Sequence, residues 1–290
     1  MYKLLALDMD GTLLNSDKMI TPQTMAAIRQ LMRAGVNVTI ASGRFPASVW
    51  LHAREVGMNF PLVALNGAVT IDADTGHLLD GTPLLPEDAL TLLDLAETAG
   101  AYIHFYGFNV LYVRELNDMN RRWPLHNVVV RANRELNEVN YRDQTMLIRV
   151  EDVGGDYRKF IRSTGDPIYK AAVICHDQTA REQLYQALEQ QGRYQLSRTG
   201  SLRFDVNAAG VTKRGALERL CAAHDIPARE VAAAGDYDND LDMLQWAGLG
   251  IAMGNAEPHV KERAAVVTGS NREDGVAEAI HRHLLLKATS

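Results

Sequence analysis

Acidic residues in this chain gather where apolar runs stop. Asp8 and Asp10 follow the run Leu4–Leu7 with Met9 between them, and Gly11 comes next. Two carboxylates separated by one residue point to the same side while the backbone stays extended, and a glycine then permits a sharp turn away. The carboxyl end of a buried strand is where open α/β sheets collect ligands, so a reactive carboxylate is useful there; acids also serve as plain punctuation of strand ends. A denser group, Gly235-Asp236-Tyr237-Asp238-Asn239-Asp240, follows the apolar run 231–234. Three carboxylates and an amide in five residues exceed what a turn requires, and their repulsion is costly unless a cation sits among them. Part of that charge has an ordinary use, since Asp240 and Asp242 suit the first turn of a following helix.

Two further groups have the chemistry of anion binding. Ser42-Gly43-Arg44 follows the apolar run 36–41. A hydroxyl beside an unobstructed glycine amide can hydrogen-bond phosphate oxygens, although a simple turn uses the same residues. Lys213 lies in Gly210-Val211-Thr212-Lys213-Arg214-Gly215. With Thr212 as helix cap, Lys213 falls in the first turn, where the helix end is already positive and a cation is disfavoured by roughly 0.3–1 kcal/mol. A nearby anion resolves that conflict; solvent screening is the alternative. The surroundings lack a Walker pattern, so the lysine does not indicate a nucleotide P-loop.

These groups must be positioned by regular elements. The runs at Leu4–Leu7 and 36–41 read as buried strands, joined by a helix that Thr21 caps, Pro22 starts, and Met25, Ile28, Leu31 and Met32 mark before Gly35. A third run covers 62–65 and ends at the Asn66-Gly67 turn. After residue 83 the pattern changes to a helix over about 86–99, a hairpin over 102–113, strands at 145–150 and 169–175, and a second hairpin over 194–206. The opening pattern returns with a helix over 212–224 and strands at 231–234, 249–253 and 265–267. The expectation is an α/β protein: a Rossmann-like parallel-sheet core from residues 1–83 and 209–290, interrupted by an inserted α+β cap at 84–208.

The 290 residues suit about two domains. With 47% hydrophobic residues the chain can fill their cores. A net charge of −6 argues against a protein built to hold nucleic acid. Cys175 and Cys221 lack CxxC or zinc-like spacing, which fits a reducing cytoplasm. The first residues lack a signal-peptide pattern, and no run of about 18 apolar residues suggests a membrane span.

Taken together, the chain resembles the haloacid dehalogenase superfamily over nearly its whole length. Asp8-Met9-Asp10-Gly11-Thr12-Leu13-Leu14 fits the first motif, Ala41-Ser42-Gly43-Arg44 the second, Lys213 the third, and Gly235-Asp236 with Asn239-Asp240 the fourth. Asn66-Gly67-Ala68, Met253-Gly254-Asn255-Ala256 and the segment 271–276 resemble the Cof-type, subclass IIB sugar-phosphatase branch, whose cap lies between the second and third motifs. At Phe204-Asp205-Val206 this chain has an aspartate where the branch has a glutamate, which leaves substrate contacts from that strand unassigned.

The resemblance implies a phosphatase of small phosphorylated metabolites that uses Mg2+. It implies that Asp8 is the nucleophile and Asp10 the general acid and base. Asp8, the Asp10 backbone carbonyl and Asp236 would hold the metal. Ser42, Gly43, Arg44, Lys213 and Asn239 would bind phosphate, with Asp240 supporting the metal shell or Lys213. To donate a proton near neutral pH, Asp10 needs a raised pKa, which the neighbouring Asp8 carboxylate can supply. A phosphomutase sharing the aspartyl-phosphate and a non-catalytic binding module are the competing readings. The cap residues Tyr106, Tyr112, Arg114 and Trp123 are candidates for leaving-group contact or for packing. The substrate and the oligomeric state are not readable from the residues.

Overall fold

A computed structural model describes residues 1–121, 123 and 147–285. Five parallel strands form the first sheet: β1 (Leu4–Leu7), β2 (Asn37–Ile40), β12 (Val231–Gly235), β13 (Leu249–Ala252) and β14 (Val266–Val267), in the order β14-β13-β12-β1-β2. Apolar throughout, β1 and β12 are covered on both faces, as central parallel strands require. Their register pairs Leu7 with both Ala234 and Ile40. Asp8, Gly235 and Ala41 therefore leave the sheet at one level, although they come from distant parts of the chain.

Helix α1 (Pro22–Arg33) joins β1 to β2 as the sequence predicts. The Thr21 hydroxyl accepts from the Thr24 amide (3.1 Å), and Ala27, Ile28 and Leu31 face inward. Helix α2 (Pro46–Val56) is not evident in the apolar pattern, because its buried face includes the polar Ser48 and His52. A small antiparallel sheet follows, made of β3 (Leu62–Ala64), β4 (Val69–Ile71) and β5 (Leu78–Gly81). Only β3 is legible beforehand; β4 carries Thr70 between its two apolar residues, and β5 is largely exposed.

Among the described residues the second sheet has six strands in the order β10-β11-β9-β6-β7-β8: β6 (Tyr102–Gly107), β7 (Val110–Val113), β8 (Arg149–Asp152), β9 (Lys170–Ile174), β10 (Tyr194–Arg198) and β11 (Arg203–Ala208). Both predicted hairpins are present. The strand read at 145–150 falls partly outside the described residues, and β8 starts at its end. Helices α3 (Pro86–Thr98), α4 (Tyr157–Ser163) and α5 (Gln178–Gln191) accompany this sheet. Leu92, Leu93, Phe105, Val173, Leu188 and Phe204 make a core of their own, while alternate residues such as Tyr106 and Ala172 pack with the core of the first sheet. The result is the mixed α/β architecture expected, a parallel-sheet core with a separate sheet-bearing cap. Helices α6 (Lys213–Ala223), α7 (Leu241–Trp246), α8 (Pro258–Arg263) and α9 (Gly275–Ala279) complete the chain. Among the described residues no helix is long and apolar enough to cross a membrane.

On β6, His104 is fully buried and, among the described residues, neither ring nitrogen has a hydrogen-bond partner. The rings of Tyr102 and Trp123 stand edge-on to it at 5.0 and 4.7 Å. Burial pushes its pKa from 6.5 down to about 4. Between those values the unfolded chain binds more protons than the folded one, so stability is lost as pH falls through that window. His104→Phe should flatten the fall in unfolding free energy between about pH 6.5 and pH 4. Denaturant titrations at several pH values measure this, and an unchanged slope would show that His104 does not fold in its neutral form. His52, also driven to about 4 by burial, keeps part of the slope in the variant.

Candidate active site

At the carboxyl edge of the first sheet, Lys213 heads α6 with its side chain turned inward and only 1% exposed. Its Nζ donates to Asp8 Oδ1 at 2.5 Å and to Asp240 Oδ1 at 2.7 Å. This supplies the anion that a lysine in a first helical turn calls for. Burial by itself pushes the ammonium's pKa down, but Asp240 and Asp8 outweigh it and hold the group above the usual lysine value. Asp240 is equally committed: its Oδ2 accepts the amides of Asp236 (3.0 Å) and Tyr237 (3.1 Å).

Oxygens of Asp8, Asp236 and Asp240 lie within 4.8 Å of one another. Burial and then Asp240 push the carboxyl of Asp8 well above its usual value, against the pull of Lys213. The same two causes, in the same order, lift Asp236 to about 7. When all three are ionised, one ammonium leaves two negative charges uncompensated, the charge of one divalent cation. The hard oxygen donors suit such an ion. Asp240 has both oxygens engaged by Lys213 and backbone amides, which leaves Asp8 and Asp236 as the carboxylates that could hold an ion.

Gly11 lets these groups approach. Its φ is +86°, and a Cβ there would lie 2.1 Å from Asp236 Oδ2. Two asparagines with no role in the sequence reading close the arrangement. Asn255 Nδ2 donates to the Gly11 carbonyl (2.8 Å) and to Asp236 Oδ2 (3.3 Å), and Asn255 Oδ1 accepts the Asn271 amide (2.8 Å). Asn271 Nδ2 in turn holds the Leu14 carbonyl (2.7 Å). Their signal in the sequence was the family resemblance of Met253-Gly254-Asn255-Ala256 and of 271–276, which left their task open.

The raised pKa expected of Asp10 needs correction, and Arg44 is the cause. Arg44, expected on phosphate, is 5% exposed and turns its guanidinium to Asp10, with Nε to Oδ2 at 2.6 Å and Nη2 to Oδ1 at 2.7 Å. A buried guanidinium needs a compensating anion, and Asp10 is within reach. Lys18 Nζ reaches the same carboxylate at 2.6 Å. Asp10 therefore does not have the raised pKa expected of an acid. Burial acts upward, but the Arg44 hydrogen bonds and the charges of Arg44 and Lys18 outweigh it and hold Asp10 well below the usual range.

Ser42 is buried, and its Oγ accepts the Arg44 amide at 3.3 Å. Asn239 is half-buried in the turn of Asp238–Asp240. Asp238 departs from the acidic group and pairs with His259. Among the cap candidates, Tyr112 donates to Asp166 (3.2 Å) and Arg114 pairs with Glu97, which are packing roles. Tyr106 stacks on Phe45 at 4.7 Å and accepts from Trp123 Nε1 at 2.6 Å.

Fold and site together define an α/β protein whose acid and lysine centre sits at the carboxyl edge of a parallel sheet, beneath a second sheet. The chain belongs to the haloacid dehalogenase-like hydrolase family, whose model matches residues 5–280. Phosphatase YwpJ of Bacillus subtilis is 30% identical over 98% of this chain and 100% of its own length. Pyridoxal phosphate phosphatase YbhA of Escherichia coli is 25% identical over 98% of this chain and 99% of its own. The solved structure of a haloacid dehalogenase-like hydrolase from B. subtilis superposes with a TM-score of 0.83 at 26% identity, covering 97% of this chain and 100% of that one.

Lys213→Met removes the one cation from a buried group of three acids. Breaking such a pairing costs about 3–5 kcal/mol. Urea unfolding in the presence of a chelator should show a loss of that size, partly restored by a divalent cation. A midpoint equal to the wild type would show that the carboxylates do not depend on Lys213.

Proposed function

We propose that this protein is a magnesium-dependent phosphatase of small phosphorylated metabolites that works through an aspartyl-phosphate on Asp8. Residues 1–83 and 209–290 are read as the hydrolase core and 84–208 as the cap. The observation that carries the proposal is the group of buried carboxylates around Lys213, short of two positive charges. Family membership and relatives named as phosphatases support it.

In this reading Asp8 attacks phosphorus in line, and the phosphorus–oxygen bond to the leaving group breaks. Asp10 gives the departing oxygen its proton, then takes one from the water that opens the acyl phosphate. For the first transfer Asp10 has to leave Arg44 and Lys18 and take up a proton from solvent, because between two cations it stays ionised. Arg44 holds Asp10 in this resting site. The Ser42 hydroxyl, the Gly43 amide, Lys213 and Asn239 hold the phosphate oxygens, and Asp240 keeps Lys213 in place. Asp8, Asp236 and the Asp10 backbone carbonyl would hold magnesium, which would supply charge neutralisation for the transferred group. The substrate class is small phosphate monoesters of the sugar phosphate type, and YbhA shows that a relative of this length takes a phosphorylated cofactor. A reducing cytoplasm suits the two free cysteines, Cys175 and Cys221.

Asp8→Asn should abolish release of free phosphate from p-nitrophenyl phosphate with magnesium while the circular dichroism stays that of the wild type. Surviving activity would remove Asp8 as nucleophile. Free phosphate also separates hydrolysis from transfer to a second sugar hydroxyl.

Asp236, raised to about 7, has to shed a proton to become a metal ligand. Magnesium binding should therefore strengthen as pH rises towards that value and then level off. Calorimetry at about pH 6 in buffers of different ionisation enthalpy should register proton release that disappears by about pH 9. Binding without proton release at the lower pH would exclude Asp236.

A further inference from the structure

We infer that Lys170, a residue of the cap sheet, is a positioning residue for the Ser42–Gly43 loop, so that the phosphate site is complete only while that sheet rests on it. This rests on the phosphatase reading above. The carbonyls on either side of Gly43 are held by the core's own turn: Ser42 O accepts the Asn66 amide and Arg44 O accepts the Leu65 amide, each at 3.0 Å. The Gly43 carbonyl between them instead accepts from Lys170 Nζ, at 2.8 Å.

That carbonyl shares its peptide plane with the Arg44 amide, which donates to Ser42 Oγ at 3.3 Å. Holding one end of the plane fixes the other, and with it the serine hydroxyl assigned to phosphate. The loop needs such a hold. A Cβ on residue 43 would lie 2.5 Å from Asn66 Oδ1, so the position demands glycine, and a glycine peptide rotates easily when it is not clamped.

The rest of Lys170 is accounted for. Its side chain is 5% exposed, its Nζ lies 2.8 Å from Asp205 Oδ2, and it sits over the Tyr106 ring at 4.4 Å. An ammonium has three protons. With Asp205, Gly43 and the ring face taking them, none is left for a leaving group. Asp205 also accepts from Asn66 Nδ2 at 3.0 Å, so the charge pair grips the same core turn. The aspartate on β11, whose contacts the sequence left unassigned, thereby acquires a partner and a task.

The experiment compares the wild type with Lys170→Met, Lys170→Met/Asp205→Asn and Lys170→Gln/Asp205→Asn. The double variants avoid leaving a buried charge without its partner, and the glutamine restores a neutral donor to Gly43. Readouts are KM for acetyl phosphate and for p-nitrophenyl phosphate, the inhibition constant of orthophosphate, and the melting temperature. In Lys170→Met/Asp205→Asn, both KM values and the orthophosphate constant should rise together by about tenfold at an unchanged melting temperature. The glutamine variant should return them towards the wild type. A wild-type orthophosphate constant in the methionine double variant would overturn the inference. So would a KM increase confined to one ester, which would make Lys170 a leaving-group contact. If the wild type releases no phosphate from either ester, the phosphatase reading fails, and calorimetric orthophosphate binding by the same variants still decides the role of Lys170.

Discussion

A lysine ammonium held 2.5 Å from one buried carboxylate and 2.7 Å from another is the interaction on which the rest of this structure depends. Taking such charges out of water costs several kcal/mol per ion unless geometry and further hydrogen bonds compensate. The compensation here comes from distant parts of the chain. Asp8 arrives on β1, Lys213 on the first turn of α6, and Asp240 from the turn after β12, where two backbone amides hold it. A parallel sheet with β1 beside β12 is the arrangement that places all three at one edge. The apolar strands are the means of that placement, and the residual negative charge is its consequence.

Much of this was legible because strands and acids follow short-range rules. Apolar runs ending in Asp8, Ser42 and Asp236 marked three strand ends of the first sheet, and Thr212 before Lys213 marked a helix start. What stayed hidden depends on side-chain direction at long range. Asp236, Asp238 and Asp240 alternate along five residues, yet Asp238 turns to His259 while its neighbours face Asp8. Arg44 looked like an anion binder and found its anion in Asp10, 34 residues away. Helix α2 was missed because Ser48 and His52 occupy its buried face, and β4 and β5 were missed because Thr70 interrupts the first and the second is largely exposed.

The pairing of Asp10 with Arg44 and Lys18 bears on dynamics. A carboxylate between two cations rests in a deep electrostatic well, and the proposed chemistry requires it to leave. The site as described is thus a resting arrangement, in which the group read as acid is stored ionised. The cap contributes through Lys170, which holds the Gly43 carbonyl, and Asp205, which holds Asn66, so core and cap both touch the turn around residues 42–44.

The common level at which Asp8, Gly235 and Ala41 leave the sheet also limits how this chain can change length. Removing one residue from β1 would slide Asp8 along its neighbours and turn its side chain to the opposite face. The hairpin tip at Asp72–Gly76, joining β4 and β5 away from that edge, carries no such restriction. Insertions and deletions accumulating over many generations should therefore collect in the surface turns and be almost absent within the four residues before Asp8.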